Sequence, residues 1–215
     1  MMKKAALAVS FLTLVCAAAS VPAFAGTLYS NGAANDQFNA LTINYGYMVS
    51  DSFTLSQAST ITGANFDIWN YSGDSLTSVS WSFGTVQSTG ATPETTDQTA
   101  NTTDGFDFTN GYGFDVYTDS ISIPSLTLGA GTYYFTLQNA ATVNDNPAYW
   151  DMNNGSSIAY QNGQNQKGVN ESGSNSETFS ITGVPAAATP EPSSFLLLGS
   201  GLAGFAGLIR RKLKG

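Results

Sequence analysis

The middle of this 215-residue chain predicts an all-β fold, an antiparallel β-sandwich of jelly-roll-like or Ig-like kind. Three observations carry that reading. Short runs alternate apolar and polar residues, the period of a half-buried strand. Gly, Asn and Ser turns separate the runs. No segment between the chain ends repeats its apolar residues at helical spacing. The count is roughly seven to nine strands in one domain.

Residues 1–25 have the anatomy of a secretory signal peptide. Lys3 and Lys4 supply the positive start, an apolar stretch follows, and Ala23-Phe24-Ala25 gives the small-x-small pattern before a cut after Ala25. A lipoprotein leader using Cys16 is rejected. Val15 is too large for the position before a lipidated Cys, and a cut there would shorten the apolar region. The passenger domain is expected over residues 26–183, with a small-residue linker at 184–189.

Within the passenger, residues 26–50 read as irregular. A strand is predicted at 51–55. Ala64, Phe66 and Ile68 share one face of the next. Turn chemistry at Tyr71-Ser72-Gly73-Asp74-Ser75 leads to a strand with Val79, Trp81 and Phe83 on one face, and the two are predicted to pair as a hairpin. Residues 87–104 read as a long surface loop. The strand over 113–123 switches phase near Asp119, which predicts a bulge or a break there, and Pro124 ends it. The turn Gly129-Ala130-Gly131 feeds an aromatic face of Tyr133, Phe135 and Leu137. Three short strands are expected at 148–152, 157–160 and 177–182, with a polar loop at 161–176.

Charge narrows the functions open to the passenger. Six of the seven Lys and Arg lie in the terminal segments, leaving Lys167 alone against fourteen acids, a net −13. Such a domain cannot neutralise phosphates, so no nucleic-acid partner is expected. Neutral glycans, cations and proteins remain open. The passenger has no His, Cys or Arg, which removes imidazole–nucleophile pairs, Zn sites and Arg clamps. No enzyme activity is expected. A carboxylate-dependent glycosidase is the third reading; with fourteen acids some carboxylate pair is inevitable, so a pair alone carries no weight.

No cofactor is expected except Ca²⁺, which takes oxygen ligands alone. Turn-associated acids are its candidate ligands, Asp104, Asp107 and Asp145 foremost, against the reading that they form a solvated acidic face. Trp69 and Trp150 lie at strand ends and are candidate platforms for sugar stacking, against core packing; Trp81 is assigned to the core. Four Asn-x-Ser/Thr sites occur at about chance in so Asn-rich a chain. A Thr-rich stretch at 92–103 suits O-glycans.

The last 26 residues are of another kind. Pro190-Glu191-Pro192 precedes an uncharged run, for which a transmembrane helix is predicted over 194–209. At about 1.5 Å per residue it reaches roughly 25 Å, enough for a locally thinned bilayer. Arg210, Arg211 and Lys212 follow as a stop-transfer signal that stays cytoplasmic. Small residues four apart, such as Gly199 and Ala203, let a second helix approach.

Triplet, helix and basic end in this order resemble the PEP-CTERM sorting tail of exosortase substrates from Gram-negative bacteria. The resemblance covers residues 190–215 and implies a route. The chain leaves by the Sec export machinery and pauses as an inner-membrane-anchored intermediate with its domain outside the cytoplasm. Exosortase then acts near Pro190, Glu191 and Pro192, and the product reaches the cell surface or the extracellular matrix. Exopolysaccharide is the implied neighbour. The expected role is structural or adhesive; the alternative is a membrane-anchored glycan- or calcium-binding module.

Overall fold

The computed structural model describes residues 25–36, 39–87, 98–162, 176–186 and 192–212. Two separate units result, the passenger to Pro185 and the C-terminal tail. The predicted signal peptide lies outside the described residues apart from Ala25, which is exposed just before the first strand.

Thirteen strands are described in the passenger. They are β1 (Gly26–Ser30), β2 (Ala40–Thr42), β3 (Met48–Leu55), β4 (Ser59–Tyr71), β5 (Leu76–Gly84), β6 (Gln98–Asn101), β7 (Thr103–Thr109), β8 (Phe114–Leu128), β9 (Gly131–Thr142), β10 (Tyr149–Asn153), β11 (Tyr160–Asn162), β12 (Ser176–Glu177) and β13 (Phe179–Pro185). All pairings are antiparallel. The smaller sheet runs β11-β3-β9-β5-β6. The larger is built around β4, which pairs with β8, β13 and β10; β1, β2, β7 and β12 extend it.

The inward residues of both sheets meet in one aromatic core. Phe66 of β4 lies 6.2 Å from Phe135 of β9 and 6.3 Å from Trp150 of β10, ring centre to ring centre. Phe53 of β3 packs edge-on to Phe179 of β13 at 6.3 Å. Ala64, Phe66 and Ile68, then Val79, Trp81 and Phe83, are all buried as their alternation predicts. Gly183 marks the closest approach of β13 to β4. A Cβ there would stand 2.2 Å from the Thr60 carbonyl oxygen.

Several sequence expectations need correction. β4 and β5 do not form a hairpin; the turn at 72–75 carries the chain from the larger sheet to the smaller. The turn at 129–130 does the same between β8 and β9. Alternation reports which side of a strand is buried, and a strand crossing to the facing sheet buries the same side pattern as one that turns back. β8 runs without a break past Asp119 and through Pro124. Its register shift falls opposite the Ile61–Gly63 step of β4, beside the proline that lacks an N–H to pair. The part of the expected 87–104 loop that is described contributes β6 and the start of β7. β7 closes a true hairpin with β8, held by Asn110 Oδ1 accepting from the backbone N–H groups of Tyr112 and Phe114 at 3.0 and 3.1 Å.

In the tail, α1 (Pro192–Lys212) starts at the last Pro of the triplet and ends on the basic residues. Pro suits the first helical position because its missing N–H would be unpaired there. Arg210, Arg211 and Lys212 fill the last turn, where cations complement the helix dipole. No helix among the described residues is long and apolar enough to cross a membrane; much of the 194–209 run predicted as transmembrane has side chains outside the described residues.

Candidate functional site

The outer face of the larger sheet carries side chains that packing alone does not require. On β4 the inward row is Ala64, Phe66 and Ile68, so Asn65, Asp67, Trp69 and Tyr71 point outward. Register places Ser120, Thr118, Val116 and Phe114 of β8 directly beside them in that order. Ser180 of β13 flanks Asn65, and Tyr149 of β10 flanks Trp69. The face therefore has a polar half and an aromatic half.

The polar half is a hydrogen-bonded cleft. Ser120 donates to Asn65 Oδ1 at 2.8 Å, and the Asn65 amide donates to Ser180 Oγ at 3.2 Å. Thr118 donates to Asp67 Oδ1 at 2.8 Å, and the Ala34 N–H donates to Asp67 Oδ2 at 3.0 Å. The segment after β1 forms one wall. It is pinned by Asn153, whose amide donates to Asn31 O at 2.7 Å. Ser30, Gly32, Ala33, Asn65, Asp67, Thr118 and Ser180 are among the residues around a cleft of about 230 Å³. Burial raises the Asp67 carboxyl pKa, while Thr118 and Ala34 draw it back.

The aromatic half is a cluster at the end of β4. Tyr71 meets Phe114 edge-on at 5.0 Å, and Phe114 meets Tyr149 edge-on at 5.6 Å. Trp69 lies 5.9 Å from Phe114 and 6.4 Å from Tyr112. Tyr71 and Tyr112 are 44% and 63% exposed, so both offer ring surface to solvent. Two carboxylates brace this end. Asp115 accepts from Thr109 Oγ1 at 2.8 Å and from Gly73 N at 3.3 Å, and the Thr109 bond leads in holding its pKa low. Burial works to raise Asp74, yet its bonds from Asn146 and from the Asn144 and Ser75 N–H groups win and leave it low.

The two tryptophans named as stacking platforms are both buried, Trp150 in the core and Trp69 beneath the aromatics of the outer face, so neither offers a free ring face. Trp150 is fully buried among Phe66, Phe135 and Phe179, with Nε1 donating to Thr178 O at 2.7 Å. Trp69 backs the exposed aromatics, and its Nε1 donates to Asp151 Oδ1 at 2.6 Å. Burial lifts Asp151 to about 7 despite that bond. The candidate Ca²⁺ ligands are spread over different elements. Asp104 and Asp107 are exposed on β7, and Asp145 is exposed between β9 and β10. Among the described residues no group of three or more acids is arranged to hold a metal ion.

Asn65, Asp67, Tyr71, Phe114 and Tyr149 escaped the sequence reading. Their one sequence signal is the outward half of the alternation that identified Phe66. The sorting triplet is only partly described: Pro190 and Glu191 lie outside the described residues, as does Ala23, while Pro192 opens α1.

Comparison with known proteins bears on the tail. No curated protein matches the chain. The family model for the PEP-CTERM protein-sorting motif matches residues 188–212, which span the triplet, the helix and the basic end. That match supports export by exosortase-type sorting. In its C-terminal segment, the chain carries the PEP-CTERM protein-sorting motif.

Proposed function

We propose that the passenger is a non-catalytic adhesive module of the cell surface or extracellular matrix, binding neutral polysaccharide through the outer face of its larger sheet. One observation carries this reading. Exposed aromatic rings lie along the same strands as a polar cleft, and the domain around them is acidic. Sugar rings present C–H faces to aromatics and hydroxyls to amides, carboxylates and hydroxyls, and the two halves supply both. The −13 charge repels polyanions and leaves neutral chains as the fitting class. In this reading the Sec machinery exports the chain and exosortase processes it near Pro190, Glu191 and Pro192.

Two experiments test the parts separately. Intact mass of the protein from producing cells should end near Pro190-Glu191-Pro192 in the surface or medium fraction. A chain running through Gly215 in every fraction would defeat processing. Affinity electrophoresis in gels containing the producer's neutral polysaccharide should retard the protein, and Tyr71→Ala with Tyr112→Ala should abolish the retardation. Equal mobility of the double variant and the parent would defeat the binding face.

A further inference from the structure

The interior holds a pair of acids that the binding face does not use. Asp51 of β3 and Glu177 of β12 are fully buried. Asp51 has the same parity as Val49 and Phe53, and Glu177 lies directly across from Met152, so both project between the sheets. The Glu177 N–H donates to Asp51 Oδ2 at 2.7 Å, which ties the two sheets together at this point. The Asn31 amide donates to the same oxygen at 3.1 Å, and the Ser52 N–H donates to Asp51 Oδ1 at 2.6 Å.

Asp51 is thus well supplied with donors, whereas Glu177 has none. Neither Oε1 nor Oε2 has a hydrogen-bond partner. A charged Glu177 would need a cation, and a protonated one would need an acceptor for its proton. The described residues supply it with neither. Two fully buried carboxylates side by side, one without a partner, are a costly arrangement on their own. A buried carboxylate whose two oxygens have no partner, beside a second buried carboxylate, points to a bound ion.

We propose that Asp51 and Glu177 bind a divalent cation between the two sheets, with Ca²⁺ the ion of choice. The candidate ligands, both Glu177 carboxylate oxygens and Asp51 Oδ1, are all oxygens, which suits a hard cation. Glu177 offers both carboxylate oxygens, and Asp51 retains lone pairs on Oδ1. Ser157 Oγ, which accepts from Asn31 at 2.6 Å and hydrogen-bonds Asp51, is a further candidate oxygen. The ion would cross-link β3 to β12 inside a domain that has no disulfide.

The test uses the full chain purified without chelator. Elemental analysis should find about one Ca²⁺ per chain, and EDTA should lower the melting temperature by about 5 °C or more, restored by Ca²⁺. Glu177→Gln should lose both the metal and the EDTA response. Should that variant fail to fold, calorimetric titration of Ca²⁺ into the EDTA-stripped parent decides, and heat at one site per chain is expected. A metal-free parent whose melting ignores both EDTA and millimolar Ca²⁺ would overturn the site.

Discussion

The two faces of β4 carry opposite lessons. Its inward row, Ala64, Phe66 and Ile68, is closed by rings from both sheets and has one physical reading. Its outward row, Asn65, Asp67, Trp69 and Tyr71, is built just as regularly but of polar and aromatic groups tied by hydrogen bonds. Burial of apolar area explains the first row completely. It does not explain a carboxylate, an amide and exposed rings on adjacent strands. Side chains ordered beyond the needs of packing are where a binding role is legible.

The comparison breaks first if the two rows carry stability equally. Phe66→Ala removes a fully buried ring and should cost about 3–5 kcal/mol in urea unfolding. An outer-face change such as Tyr112→Ala should stay within about 0.5 kcal/mol. Gly183→Ala comes next. Its Cβ would meet the backbone of Thr60 and Ile61, atoms that cannot swing aside, so a loss of about 1–3 kcal/mol is expected. A neutral result would mean that β13 can move away from β4 without cost.

A third test concerns charge buried on the inner face. Asp119 lies beside Phe66 on that face and is fully buried, with no hydrogen bond to either carboxylate oxygen. Thr102 is near, but its hydroxyl donates to Leu76 O at 2.8 Å. Burial, then the charge of Asp104, lifts Asp119 to about 8. The folded state therefore holds this proton where the unfolded chain has lost it. The contribution is fully present below about pH 4 and is lost as pH rises toward 8. Unfolding free energy should fall by about 1 kcal/mol per pH unit between pH 5 and 7 on account of this group, and Asp119→Asn should flatten the slope by that amount. An unchanged slope would mean that Asp119 is ionised and solvated in the fold.

Asp119 also shows where the sequence stopped being readable. The phase switch at that position was visible, and a bulge is the ordinary reason for one. The strand instead runs straight and turns an acid inward, which alternation cannot distinguish from a slip in register. The supposed β4–β5 hairpin failed for a related reason: periodicity is local, whereas sheet membership depends on partners far along the chain. The inner rows at 64–68 and 79–83 were legible because burial is one-sided. The proposed binding face was not, because Tyr71, Phe114 and Tyr149 come together only through cross-strand register. Asp51 and Glu177 lie far apart in sequence and become neighbours only when the sheets stack. The tail was legible in full as a signal, since Pro190-Glu191-Pro192, helix and basic end are read in linear order.

The smallest stability effect is paired with the sharpest functional one. Tyr112 is 63% exposed and touches Trp69 at ring-centre distance 6.4 Å, so its removal leaves the core intact. Tyr71 stands across Phe114 with nearly half its surface free. Each ring should contribute about 1 kcal/mol to stacking on a sugar, so a single Ala change should weaken binding of a neutral oligosaccharide several-fold. Isothermal titration with matched denaturation curves separates the two readouts. Affinity loss at unchanged stability assigns the outer row to binding. Stability loss at unchanged affinity would return these rings to packing, and the two faces of β4 would then differ only in what covers them.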